Sequence, residues 1–257
     1  MSIDVGRDAA GIVTILLNRP EKRNAMTMGM YRDFGTALTE LDADDSVRCI
    51  VVRGAGNAFC AGSDIGGFDD ERNGREQARE YAKFTLAMTD CLRDSRHPTV
   101  ACIEGVCVGG GLEIAAMCDI RIAGRGSRFG IPVNRIGLTV DHHELADLIA
   151  VVGPTVTLEI LLEGRVFGAE EALDKGLLTR MVEDDAVSVS AYEAAQAIAR
   201  GAPLVNRWHK KFVRQLREMQ RLNEAELDEA YACFDTEDYR TGTAAFSRKE
   251  KPVFSGR

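Results

Sequence analysis

Three consecutive glycines followed by a glutamate form the most chemically informative part of the sequence. Gly109, Gly110 and Gly111 end an apolar segment, and Glu113 comes two residues after the last of them. Glycine lets the backbone approach a ligand closely, and the unpaired N–H groups at the start of a helix attract negative charge. The pattern therefore predicts a site for an oxyanion, such as a thioester or ester carbonyl that gains charge, beside a carboxylate that moves a proton.

Alternating strand-like and helix-forming segments must position these residues. Apolar segments typical of strands lie at residues 11–17, 47–54, 98–103 and 119–123, and helical patterns lie at 28–43, 75–93 and 112–118. Repeated strand–loop–helix units predict an α/β fold with right-handed crossovers. From about residue 188 the chain is nearly all helix-forming, which predicts a core over residues 1–195 and a C-terminal helical subdomain over residues 196–257.

The composition narrows the class of protein. The net charge of −8 over 257 residues argues against general nucleic-acid binding. The polar, acidic N-terminus does not resemble a signal peptide, and we count no apolar run of about 18 residues, so we expect a cytoplasmic protein without a membrane partner. Seven scattered cysteines with no C-x-x-C pattern predict free thiols and no metal site.

Six motifs occur in an order and spacing that resemble those of one family. They are NRP and NA at residues 18–25, FCAGSDI at 59–65, GGGLE and CD at 109–119, FGIP and IGL at 129–138, AEEA and GL at 169–177, and AFSRKEKP at 245–252. Through these motifs the chain resembles the crotonase superfamily, also called the enoyl-CoA hydratase/isomerase family, over nearly its whole length.

The resemblance implies a crotonase-type spiral of ββα units capped by C-terminal helices. It also implies an enzyme that forms a homotrimer or a dimer of trimers and that acts on acyl-CoA, in the manner of fatty acid metabolism. The thioester enolate would be stabilised by the backbone N–H groups of Ser63 and Gly110. Coenzyme A would then be part of the substrate, and no cofactor would be bound permanently.

The same motif positions imply a binding site for coenzyme A. They place Arg23 near the phosphates, Ala25, Ala61, Asp64 and Ile65 around the adenine end, and Phe246 and Lys249 where C-terminal residues close the site, often from a neighbouring subunit. For Arg23 and Lys249 the alternative is an ordinary solvated charge, as on most protein surfaces.

The sequence departs from the family at the second catalytic position. Hydratases of this family use two glutamates, and the first of them matches Glu113. Val133 occupies the position of the second, and its neighbour Asn134 is not a base at neutral pH. Asp141 resembles the aspartate of some family isomerases and could move a proton with Glu113, but it fits equally well as the N-cap of the following helix.

The expected reaction is therefore double-bond isomerisation of an enoyl-CoA, with Glu113 and Asp141 as the candidate catalytic residues. One alternative is a hydratase or dehydratase that uses Glu113 alone. The other is a CoA-ester-binding paralogue with little catalysis, which the missing second glutamate favours and the retained glycine run opposes.

Overall fold

A computed structural model describes residues 2–67, 74–217 and 223–257. Within these ranges the strands are β1 Ile3–Arg7, β2 Ile12–Leu17, β3 Cys49–Gly54, β4 Ala58–Cys60, β5 Thr99–Ile103, β6 Val106–Val108, β7 Ile120–Gly124, β8 Arg128–Gly130, β9 Phe167–Gly168 and β10 Arg180–Val182. The helices are α1 Met28–Asp42, α2 Arg75–Asp94, α3 Gly110–Met117, α4 His142–Glu163, α5 Ala169–Asp174, α6 Val187–Ala199, α7 Pro203–Arg217, α8 Glu224–Asp228 and α9 Glu237–Arg248.

The strands form two sheets. The larger has the order β1-β2-β3-β5-β7-β10, and all its pairs are parallel except β1 with β2. The smaller has the order β4-β6-β8-β9, in which only β8 with β9 is antiparallel. Parallel neighbours that are not consecutive in sequence require helical crossovers, so the expected α/β fold is confirmed.

The central strands of the large sheet are buried on both faces. On β3, Ile50 and Val52 face the main core, into which α1 places Phe34 and Leu38. Cys49 and Val51 face a second cluster under α6. Because a parallel strand covered on both sides needs apolar residues on both sides, β3 appears in the sequence as a continuous apolar run.

Three parts of the strand arrangement are absent from the sequence-based expectations. Two are the edge strands of the large sheet, β1 and β10, and the third is the whole smaller sheet, whose strands contain only two or three residues. Strands this short give no readable alternation of polar and apolar residues. The predicted boundary after residue 195 falls within α6, whose Ala195 packs under the large sheet, so the division into two domains stays a prediction.

The helix α4 differs from what we expected of the sequence. Among the described residues it is the one helix that is long and apolar enough to cross a membrane, and the count of uninterrupted apolar residues missed it because polar residues such as Asp147 interrupt the run. Its backbone breaks at Gly153, where φ is 75°, and Leu148 and Ile160 are buried in the protein core. The absence of a membrane partner remains a prediction.

The cysteines are all free thiols. Burial raises the pKa of Cys60 and Cys118 to about 12, so these thiols stay protonated and behave as small apolar side chains. Within the described ranges, no three His, Cys, Asp or Glu side chains lie where they could share a metal ion.

Candidate active site

A cavity of about 300 Å³ lies where the loop after β4 meets the start of α3. The turn after β8 and the first turn of α4 form its opposite wall. The lining includes two hydroxyl groups, two carboxylates, an apolar residue and a glycine, namely Tyr31, Ser63, Glu113, Glu144, Val133 and Gly110. The glycine run and the FCAGSDI motif, more than 40 residues apart in sequence, thus meet at one cavity.

A short parallel pairing between two loops orients Ser63. The Met26 N–H donates to the Gly62 carbonyl at 2.8 Å, and the Asp64 N–H donates to the Met26 carbonyl at 2.8 Å. Because alternate residues of a paired strand point to opposite sides, the Ser63 N–H points away from Met26. It donates no hydrogen bond to any described residue.

The second candidate donor is the first residue of α3. The N–H groups of a helix's first turn have no partner inside the helix, and the Gly110 N–H donates to no group in the described part of the chain. Two N–H groups from separate loops are therefore available at one cavity. This is the geometry that an oxyanion hole requires.

Two glycines allow the loops to approach this closely. Gly62 has φ of +95°, and a Cβ placed on it would lie 3.3 Å from the Gly110 nitrogen. A Cβ on Gly111 would lie only 2.2 Å from the Cys60 carbonyl oxygen. The glycines of both motifs are thus explained by contact between the loops as well as by space for a ligand.

Glu113 lies beside these donors. It is half-buried in the first turn of α3, and its Oε2 lies 3.6 Å from the position that a Cβ of Gly110 would occupy. The carboxylate can therefore reach a carbon next to a carbonyl bound by the Gly110 N–H. A negative charge is also favoured at the start of a helix.

Tyr31 is a residue of the site that the sequence did not reveal. The sequence placed it on the buried face of α1, and its ring is buried there. Its hydroxyl lies 2.9 Å from the Ser63 Oγ and lines the cavity. Since a buried tyrosine hydroxyl needs a polar partner, the presence of a tyrosine among the apolar residues of α1 was the available signal.

The structure separates Asp141 from Glu113. The Asp141 carboxylate accepts the His143 N–H at 2.9 Å as the N-cap of α4, and Asp141 is not part of the cavity lining. Asp141 therefore forms the cap, and a catalytic role for it stays a prediction. The residue of this turn that does line the cavity is Glu144, which the sequence analysis did not select.

Val133, at the position of the second hydratase glutamate, and its neighbour Asn134 have different surroundings. Val133 lines the cavity and presents an apolar wall. Asn134 is exposed, and its Nδ2 donates to the Leu162 carbonyl at 2.9 Å. Asn134 therefore ties the turn after β8 to the end of α4 and does not face the substrate space.

Comparison with known proteins decides the family. A profile described as Enoyl-CoA hydratase/isomerase matches residues 7–257. The chain belongs to the enoyl-CoA hydratase/isomerase family. Among its relatives are a mevalonyl-coenzyme A hydratase of Aspergillus fumigatus, 33% identical with 94% of this chain and 90% of the relative covered, and a probable enoyl-CoA hydratase of Mycobacterium bovis, 33% identical with 100% and 98% covered.

Solved structures agree with this assignment. A crystal structure described as an enoyl-CoA hydratase/carnithine racemase from Magnetospirillum magneticum superposes with a TM-score of 0.98 at 44% identity, covering 100% of this chain and 96% of that chain. This member of the family therefore has the crotonase fold. It is an enzyme of the class that acts on CoA thioesters.

Two of the residues expected to bind coenzyme A, Ala61 and Ile65, line the cavity. The Ala61 N–H donates to the Arg23 carbonyl at 3.0 Å. Ile65 is 58% exposed, so its side chain is accessible to a ligand. Arg23 is exposed at a backbone φ of 50°.

The carboxylate of Asp64 has a structural partner. Arg19 Nη1 donates to it at 2.6 Å and also to the Ala25 carbonyl at 3.2 Å. The hydrogen bond from Arg19 lowers the pKa of Asp64, so the side chain is ionised and engaged within the loop pair. Any contact of Asp64 with coenzyme A is therefore more readily made by its backbone than by its carboxylate.

Of the two C-terminal candidates, the structure describes the side chain of Lys249 alone. Lys249 is exposed, has φ of 56° and lies outside the lining. Phe246 falls in α9, and its side chain is outside the described residues. The expectation that these residues close a site, including one on a neighbouring subunit, stays a prediction.

Proposed function

We propose that this enzyme moves the double bond of an enoyl-CoA thioester. The thioester oxygen accepts hydrogen bonds from the Ser63 and Gly110 N–H groups, while a carboxylate removes a proton from C2 of a 3-enoyl chain. The resulting dienolate regains a proton at C4, so the double bond moves from C3–C4 to C2–C3. No atom is gained or lost, and no co-reactant is needed.

The observation that carries the proposal is the combination of Glu113 with two unpaired N–H groups and the apolar Val133 at one cavity. Proton transfer next to a carbonyl needs a base and hydrogen-bond donors to the developing oxyanion, and Glu113 and the two N–H groups are the candidates for these roles. An apolar wall at the position of the second hydratase glutamate provides no hydrogen bond to a nucleophilic water. The geometry therefore favours the movement of protons over the addition of water.

We further propose that Glu144 takes the role that the sequence assigned to Asp141. Glu113 and Glu144 line the same cavity from different helices, whereas the Asp141 carboxylate caps α4. Two carboxylates at different sides of a dienolate can serve C2 and C4 separately. Such a division suits acid–base catalysis because each group can hold a different protonation state.

Hydration is the second candidate, and the same pair of carboxylates supports it. A water held by Glu144 could add to C3 of a 2-enoyl thioester while Glu113 gives a proton to C2. The names of the relatives, several of which are enoyl-CoA hydratases, are consistent with this reaction.

Product analysis separates these functions. The protein is incubated in deuterated water with 2-enoyl-CoA and 3-enoyl-CoA of several chain lengths, and the products are followed by mass spectrometry. We expect 3-enoyl-CoA to become 2-enoyl-CoA. Formation of 3-hydroxyacyl-CoA instead would replace isomerisation by hydration, and binding of the thioesters without product or deuterium exchange would identify a binding-only paralogue.

The roles of Glu144 and Asp141 are tested by a matched pair of variants. Glu144→Gln should lower turnover about 10²-fold or more, in line with the loss of a general acid or base. Deuterium exchange at C2 should persist in this variant because Glu113 is retained. Asp141→Asn, which keeps an N-cap side chain, should stay within about threefold of the wild type; the reverse ranking would return the role to Asp141.

We also propose a homotrimer or a dimer of trimers, and a cytoplasmic location. The exposed apolar residues Leu158, Leu162 and Val166, at 55%, 73% and 47%, support self-association around the end of α4. Light scattering of the purified protein should give three or six times the mass of the chain, and a monomer would contradict the proposal.

A further inference from the structure

The hydroxyl of Tyr31 occupies an unusual position for a core tyrosine. The residue lies in the first turn of α1, and its ring is 4% exposed and packs edge-on against Tyr81 at 6.2 Å. The apolar part of the side chain therefore belongs to the core between α1 and α2. The hydroxyl alone extends to the cavity of the candidate active site.

The Tyr31 hydroxyl lies next to both residues of the proposed oxyanion hole. Its oxygen is 2.9 Å from the Ser63 Oγ and 3.1 Å from the point that a Cβ on Gly110 would occupy. The Glu113 Oε2 lies 3.6 Å from the same point. The phenol is thus on the side of the hole on which the substrate carbon and Glu113 would meet.

The hydrogen bond between Tyr31 and Ser63 uses only one of their two O–H groups. Tyrosine and serine each carry a single O–H donor, and one of these forms the bond between the two oxygens. The other O–H has no partner among the described residues and is available to a ligand in the cavity. Burial raises the pKa of Tyr31 well above its ordinary value, so the phenol keeps its proton throughout the neutral range.

We infer that the side chains of Tyr31 and Ser63 form a hydroxyl relay that gives the thioester oxygen a third hydrogen bond, in addition to the two backbone N–H groups. The inference rests on the proposed function, since it assumes a thioester bound in the hole. Charge that develops on the oxygen strengthens the terminal hydrogen bond and, through it, the bond between the hydroxyls. The relay therefore acts more on the enolate than on the bound substrate, which is the condition for catalysis.

The polarisation of a bound thioester is the direct test. A 2,4-dienoyl-CoA absorbs at longer wavelength as hydrogen bonds withdraw charge to its carbonyl oxygen, and a Glu113→Gln background prevents turnover during the measurement. We expect Tyr31→Phe and Ser63→Ala, each added to that background, to reduce the red shift, with the larger reduction from the hydroxyl that contacts the thioester oxygen. Because the two hydroxyls act in series, the combination of both should reduce the shift by less than the sum of the single effects.

Turnover provides the second measurement. With Glu113 intact, Tyr31→Phe should lower kcat about ten- to a hundredfold with a much smaller change in KM. Tyr192→Phe is the matched control. It removes another partly buried tyrosine hydroxyl, which contacts the Thr14 Oγ1 at 2.6 Å and does not line the cavity. It should leave both kcat and the red shift unchanged within twofold.

The outcomes distinguish failure of the relay from failure of the proposed function. If the Glu113→Gln protein itself gives no red shift with bound thioester, there is no oxyanion hole and the proposed function fails. If that shift is present but Tyr31→Phe leaves it unchanged, the relay is overturned, even where turnover falls, because the hydroxyl then serves Glu113 instead. Should Tyr31→Phe fold poorly, Ser63→Ala gives the same decision.

Discussion

The two sheets of the molecule use their backbone hydrogen-bonding groups in different ways. In the large sheet, β1, β2, β3, β5 and β7 have five or six residues each and pair continuously with their neighbours. In the small sheet the strands have two or three residues and pass directly into glycine-containing loops. The unpaired N–H groups of Ser63 and Gly110 lie where the strands β4 and β6 have ended.

The comparison indicates that the large sheet mainly provides stability, whereas the loops of the small sheet mainly provide groups for chemistry. A donor engaged in a ladder is unavailable to a substrate, whereas a donor left over at the end of a short strand is available and already oriented. Substitutions at the small sheet's loops should therefore change activity more than stability, and substitutions inside the large sheet should do the reverse.

The largest expected effect on activity comes from Glu113→Gln. It should lower turnover of the preferred enoyl-CoA about 10²- to 10⁴-fold, the usual contribution of a positioned acid or base. The midpoint of urea unfolding should stay close to that of the wild type, because the residue is only half-buried at a cavity wall. Turnover within twofold of the wild type would remove Glu113 from the mechanism.

The opposite result is expected for Ile50→Ala in β3. Ile50 is fully buried in the main core, so its truncation should reduce the free energy of unfolding by about 2–5 kcal/mol. The kcat of the folded fraction should remain within a few-fold of the wild type. Val5→Ala, at a residue 49% exposed on the edge strand of the same sheet, is the control and should change stability by less than about 0.5 kcal/mol.

A loss of kcat in the folded Ile50→Ala protein as large as that of Glu113→Gln would contradict this comparison of the two sheets. It would show that the large sheet also affects the candidate active site. Urea titrations and active-site titration with a tight thioester separate the folded fraction from its turnover.

The smallest expected effect concerns an ion-pair cluster beside the small sheet. Hydrogen bonds from Arg165 and Lys175 lower the pKa of Glu171 from its ordinary 4.5 to about 2. Because the folded-state pKa is lowered, the pairing stabilises the protein fully above about pH 4.5, and this stabilisation is lost as the pH falls toward 2.

Glu171→Gln should therefore be less stable than the wild type at pH 7, by less than about 1 kcal/mol for such a partly exposed group. The two unfolding curves should approach each other as the pH falls below about 4.5 and should converge only near pH 2. A difference that grows with falling pH would contradict the lowered pKa, and Glu40→Gln at an exposed position of α1 serves as the control.

Much of the scaffold was predictable because its signals are local. The apolar run of β3 and the amphipathic pattern of α1 each identify their element, and the glycine run identifies the loop that approaches a ligand. The short strands β4, β6, β8 and β9 were not predictable, since two or three residues carry no period.

The parts of the site that the sequence missed depend on contacts between distant segments. Tyr31 and Ser63 are 32 residues apart, so only the packing of α1 against the loop after β4 brings their hydroxyls together. Asp141 and Glu144 share a single helical turn, and their sequence does not reveal which carboxylate is used as a cap. The position of α4 against the cavity decides between them.

The pairing of residues 23–26 with residues 61–64 has a consequence for how binding energy is used. Arg23 and Ala25, the expected contacts of the nucleotide, are continuous with Met26, whose hydrogen bonds on both sides of Ser63 orient the oxyanion donor. A ligand that immobilises this loop at one end therefore restricts the donor at the other. On the proposed function, the nucleotide portion of the thioester would therefore act as an anchor that helps to hold the oxyanion donor in place, and we expect substrates that lack it to react slowly even at saturating concentration.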